Sequence, residues 1–277
     1  MKTSILNLTD TEGYRNAGVG AYRWGDFTGE LPLPVGPVSG RVMQVLGQVP
    51  GDGNVYDHQR HQARLIRNYG RFDINHPSLV ESGILEGSPL SPSEHFQLRV
   101  TGLVHDLGET HPDIGDTCYD KKHLVKHTKE EEFEAGTSVI GSVVKHPDLH
   151  RFAVDCYTID FNEQHRLYKM FKMYEKLSYI SGAIYAMRAT NSKARIAHPA
   201  PLMHNVLKNQ ITPLIQWYSQ DIPSIVAFID AHRCDIDGLF LYVVSSGFID
   251  ENQENNEKFK EVYNIWFSLW ERGSDNR

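Results

Sequence analysis

The apolar positions of this chain recur mostly at helical spacing. In "SPSEHFQLRVTGLVHDLGE", Phe96, Val100, Leu103 and Leu107 fall at i, i+4, i+7 and i+11, a single helical stripe. The segment opens on Ser91-Pro92-Ser93-Glu94, a capping-box spacing with proline at the first helical position. Upstream, "YDHQRHQARLIRNYG" predicts a helix with Gly70 as its C-cap. Residues 121–144 predict a helix that is charged first and apolar later, and residues 162–188 carry the longest periodic run. Further helices are predicted at 202–218, 223–231 and 255–271. The stretch "LFLYVVSS", 239–246, is the one good strand candidate, and it fits a buried helix equally well. The pattern as a whole predicts a mostly α protein.

Composition adds three limits. The chain has 277 residues, enough for a sizeable core, with an ordinary globular balance of 40% apolar and 23% charged residues. Its formal charge of −7 argues against a protein built to hold duplex nucleic acid. Cys118, Cys156 and Cys234 are far apart and form no C-x-x-C, which fits reduced thiols and a cytoplasmic setting. The first residues lack the apolar core of a secretory signal, and no stretch approaches the length of a membrane-spanning helix. Residues 25–54 are rich in Gly and Pro around one short apolar piece, Val42–Leu46. Three regions are therefore expected. Residues 1–54 form a loop-rich segment packed on the main domain, 55–200 a helical core, and 201–277 a helical extension.

The candidate chemistry lies in "TGLVHDLGETHPDIGD", residues 101–116. His105 and Asp106 stand side by side where a packed helix runs out. Imidazole nitrogen with carboxylate oxygen suits Mn, Fe, Co or Zn, with Mg as a further option. Asp106 follows an apolar run, and a buried carboxylate is costly unless something satisfies it. Glu109 lies one turn on, placed to move a proton of an attacking water. On the upstream helix, His58, His61 or Gln62, and Leu65 share one face, so that a histidine from a second helix could complete a site.

Taken together, "NVYDHQRHQARL" and "GLVHDLGE" resemble the HD-domain metal-dependent phosphohydrolases, with the nearest likeness to the 5′-deoxynucleotidases. The likeness covers roughly residues 54–188. It implies an HD-type helical bundle and a divalent metal. It makes His58, rather than His61, the first ligand, His105 and Asp106 the next two, and Glu109 the general acid/base. Gly115-Asp116 matches a Gly-Asp step that contacts substrate, Lys122 or Lys126 the phosphate-binding lysine, and Arg23 in "YRW" a phosphate-binding arginine. The implied substrate is a nucleotide, a (deoxy)nucleoside mono- or triphosphate; a homo-oligomer is compatible with the pattern.

Three departures stand out. The segment after Glu109 is about two residues long, so Asp113 competes with Asp116. The loop before His58 is long. The closing Asp of the family is absent, and "FKMYEKLSYI" offers Glu175 instead, with Asp160, in what reads as a loop, as the other candidate. Glu175 also reads as a plain residue of an amphipathic helix. His123, His127, His146 and His165 are read as exposed or capping residues rather than ligands of a second ion, and "KEEEFE", 129–134, as a solvated helix face. The change at the last ligand leaves a second reading, a degenerate HD domain that binds a nucleotide or a protein without turnover.

Overall fold

A computed structural model describes residues 55–111, 114, 127–190, 207–245 and 253–271. Arg23, Asp113, Asp116, Lys122, His123 and Lys126, and the N-terminal segment 1–54, lie outside these residues. Nine α-helices are described: α1 (Val55–Tyr69), α2 (Ser78–Glu81), α3 (Pro92–Val104), α4 (Lys129–Val143), α5 (Pro147–Phe161), α6 (Tyr168–Thr190), α7 (Thr212–Tyr218), α8 (Pro223–Ser245) and α9 (Gln253–Glu271). Short 3₁₀ turns follow α1 and α3, and a π turn precedes α7. There is no strand ladder among the described residues, only one isolated bridge between Ile74 and Leu90. The fold is mostly α, as the periodicity predicts.

The capping box of α3 forms in full. The Ser91 side chain accepts from the Glu94 N–H, and the Glu94 carboxylate accepts from the Ser91 N–H at 2.8 Å. Arg166 donates to the same carboxylate at 2.8 Å and to the carbonyls of Glu86 and Ser88, which ties the incoming loop to the helix. A second capping box, Thr128 with Glu131, starts α4.

Helix α3 separates two apolar clusters. The stripe Phe96, Val100, Leu103 and Leu107 packs with Ile140 of α4 and with Ala153, Cys156 and Tyr157 of α5. On its other side, Leu98 joins a larger core built from α1, α2, α6, α7, α8 and α9, in which Trp266, Tyr174, Phe171 and Phe228 are fully buried. Asp73 fastens α8 into that core. Its carboxylate accepts from the Tyr174 hydroxyl at 2.6 Å and from the Ser224 N–H at 2.9 Å, at the start of the helix. Burial holds this carboxyl above its usual range in spite of those bonds.

The structure corrects three local readings and decides a fourth. Gly70 does not end α1 by a left-handed turn; a 3₁₀ turn, Gly70–Asp73, continues from it. What fixes glycine there is space, since a Cβ would stand 2.6 Å from the Tyr174 hydroxyl. The strand candidate 239–246 falls largely within α8, which carries 23 residues without a break. Ile236, Leu239, Phe240 and Val243 are buried while Leu241 and Val244 are exposed, a helical spacing and not an alternating one. Residues 147–161, unassigned by the pattern, form α5. Asp160 therefore sits on a helix and not in a loop.

Gly136 yields a test in which packing opposes propensity. In α4 an alanine is worth about 1 kcal/mol more than glycine on propensity alone. A Cβ at Gly136, however, would overlap the Tyr157 ring, whose Cε1 is 2.6 Å away. Tyr157 cannot retreat. It is fully buried, stacks on Phe133 and donates its hydroxyl to the Glu132 carbonyl. Gly136→Ala is expected to lower the unfolding free energy by about 1–3 kcal/mol, the usual cost of overpacking. A denaturant midpoint at or above wild type would show that the pair has room to adjust.

Candidate metal centre

The site forms where α1 begins and α3 ends. The two helices pack against each other in opposite directions, with His58 facing His105 and Ala63 facing Gly102. Gly102 permits the approach: a Cβ there would meet the Ala63 backbone nitrogen at 3.1 Å. Beyond Val104 the chain tightens into short-range bonds, Leu107 N–H to Val104 O and Glu109 N–H to Asp106 O, both 3.1 Å. That turn carries His105 and Asp106 round to the same side.

His58, His105 and Asp106 each bring a ligand atom to within 4.8 Å of the other two. Their exposures are 2%, 1% and 8%. Asp106 Oδ2 is 3.1 Å from His105 Nε2 and 3.5 Å from His58 Nε2. The two imidazole rings are 5.3 Å apart. His105 Nδ1 lies 3.2 Å from the Gly102 carbonyl, so that bond makes Nδ1 the donor and turns the Nε2 lone pair toward the cluster. Burial alone would push the His105 pKa down; Asp106 beside it, then Asp160 and Glu175, outweigh burial and raise it. Two imidazole nitrogens and one carboxylate, buried together, are a donor set that suits a divalent ion of the borderline class.

The other predicted residues fall as follows. His61 is spoken for elsewhere: its Nε2 is 3.0 Å from the Ser181 hydroxyl on α6. Gln62, one turn beyond His58, is fully buried, and neither atom of its amide has a hydrogen-bond partner among the described residues. Glu109 is half-buried in the turn Gly108–Thr110, which α4 covers. Glu175 lies outside the three-residue cluster. Its Oε2 is 2.8 Å from Lys172 Nζ, which also stands 2.6 Å from Asp160 Oδ1. Burial works against the Glu175 charge, but Lys172 wins and lowers its pKa; at Asp160 burial wins and the pKa is raised. Among the remaining histidines, His127 is 3.9 Å from Glu132, His165 Nδ1 accepts from the Leu167 N–H, and His146 is the N-cap residue of α5. Glu130 and Glu131 of the acidic run are exposed, whereas Glu132 and Phe133 are half-buried.

Two residues went unseen in the sequence. Tyr157 reaches a region where Glu132, Asp106, Asp160 and Glu109 all act on its hydroxyl, and burial first, then these carboxylates, hold it protonated. Lys172 reads as an ordinary charge on an amphipathic helix; its partner Asp160 belongs to α5, which the pattern did not assign. Among the described residues no helix is long and apolar enough to cross a membrane. No family model, curated protein or solved structure matches the chain.

Proposed function

We propose that this chain is a metal-dependent phosphohydrolase acting on a small nucleotide. The observation that carries the reading is the convergence of His58, His105 and Asp106 from two helices onto one buried point. His58, His105 and Asp106 would hold the ion, with Glu175, on the adjoining helix and electrostatically coupled to His105, as the residue that closes the set. A divalent ion bound there lowers the pKa of water and polarises a phosphate oxygen. The rest falls to the chain. Gly102 fixes the tautomer of His105. Glu109 takes the proton of the attacking water and returns it to the leaving group. Phe171 packs edge-on against the His105 ring, centroids 5.4 Å apart, and limits water on that side. The resemblance to HD-domain nucleotidases supplies the substrate class, and Asp116, Lys122 or Lys126, and Arg23 are the residues proposed to contact it.

The test is metal content of the purified protein together with phosphate release from nucleoside mono- and triphosphates. Bound divalent ion with turnover on at least one nucleotide is the expected result. Bound ion without turnover on any phosphate ester would favour the second reading, a domain that binds a nucleotide or a protein without turnover. Absence of any ion under Mn, Co, Fe or Zn loading would remove the phosphohydrolase reading.

A further inference from the structure

Beside the three-residue cluster lies a second polar group that spans two helices. Lys172 of α6 stands between Asp160 of α5, at 2.6 Å, and Glu175 one turn on, at 2.8 Å. Both carboxylates are largely buried, at 13% and 19% exposure. Phe171, next to Lys172 on α6, packs against the His105 ring with centroids 5.4 Å apart, which brings the two groups side by side. Two carboxylates from different helices converging on a single cation, next to a site for a divalent ion, is the layout of a second cation position. Here the position is filled by the chain itself.

Charge balance favours the same view. With the Lys172 ammonium between Asp160 and Glu175, a second dication there would set three positive charges against two carboxylates in a buried region, where uncompensated charge is costly. With Lys172 gone, the same dication would be balanced by the two carboxylates. An ammonium also differs from a metal ion in kind: it donates hydrogen bonds but accepts no lone pair, so it holds carboxylates in place without activating water.

We infer that Lys172 sets the metal stoichiometry of this centre, its ammonium taking the cation position between Asp160 and Glu175 so that the chain holds one divalent ion rather than two. Lys172 is a positioning residue. It keeps Glu175 beside the cluster and denies the neighbouring carboxylates to a second ion. The inference rests on the metal reading proposed above, but its test separates the two.

The experiment is Mn²⁺ binding to the full chain, read as ions per chain at saturation and by electron paramagnetic resonance, which distinguishes an isolated Mn²⁺ from a coupled pair. Wild type is expected to hold one ion with the signal of an isolated centre. Lys172→Met is expected to hold two with a coupled signal. Lys172→Arg, which restores the cation, should return to one, and Asp160→Asn added to Lys172→Met should remove the second ion. Lys172→Gln, polar and of similar length, is the substitute if the methionine variant does not fold. Two ions in wild type would overturn the inference, as would a single ion in both Lys172→Met and Lys172→Gln. If wild type binds none while Lys172→Met binds one that Asp160→Asn removes, the ammonium does occupy a cation position, but the three-ligand centre fails and the inferred count of one ion is overturned with it. If His105→Ala empties wild type while the Lys172 variants still hold one ion, the centre stands and the inference fails.

Discussion

Replacing either His105 or Asp106 by alanine is expected to strip the bound ion and abolish turnover while leaving the helical content near that of wild type. Each contributes one of three ligand atoms that lie within 4.8 Å of one another. Outer-shell changes around a metal typically cost about 10- to 100-fold in affinity, and loss of a direct ligand should exceed that. Asp106 carries the only negative charge of the three, so Asp106→Asn should weaken binding as well, although it keeps the shape. The helices should survive because the substitutions leave the apolar clusters on both sides of α3 intact. The measurements are metal content after gel filtration, far-ultraviolet circular dichroism and phosphate release. Wild-type metal content in both alanine variants would rule out the cluster as the metal centre.

The site was legible to the extent that it is local. His105, Asp106 and Glu109 fall within five residues, and the helix that presents them announces itself by a capping box and a four-residue stripe. His58 was legible only through its likeness to a motif; nothing in the spacing says that α1 and α3 run in opposite directions and meet at Gly102. Of the clamp of Asp160, Lys172 and Glu175, the two carboxylates stand out in the sequence as rival candidates for one role, but their meeting at Lys172 is not legible there. It depends on α5, whose buried positions Ala153, Cys156, Tyr157 and Ile159 are interrupted by Asp155 and Thr158 and give a weak stripe. Pro147 at its first position is a start signal that the sequence carries for that helix. In "LFLYVVSS" strand and buried helix fit the pattern equally, and burial of Leu239, Phe240 and Val243 against the large core decides for the helix. Tertiary packing settles the matter there, as it does at Gly136.

Glu109→Ala is expected to keep the metal and lower kcat by about 10²- to 10⁴-fold, the usual scale for loss of a general acid/base. The geometry gives the reason. Glu109 is held by its own N–H to the Asp106 carbonyl at 3.1 Å, so its backbone is fixed one turn from a proposed ligand. It is half-buried, and α4 covers the turn that carries it, which limits how far the carboxylate can wander. Asp106 and Glu109 act on the same buried Tyr157 hydroxyl, which places both carboxylates within electrostatic reach of one point. Tyr157 itself is committed, since its hydroxyl donates to the Glu132 carbonyl at 3.1 Å, and burial with its acidic surroundings keeps it protonated. It is thus poorly placed to replace Glu109 as a base. Glu109→Gln should lose nearly as much as Glu109→Ala, because the amide keeps the size but neither accepts nor delivers the proton. A group that only shapes the pocket predicts another order, with Gln close to wild type and Ala impaired mainly in KM. A group that binds the ion predicts a third, with metal content falling in step with kcat. Measuring ion content, kcat and KM for the two variants therefore assigns Glu109 one of three roles, and only retained metal with a matched loss of kcat in both supports proton transfer.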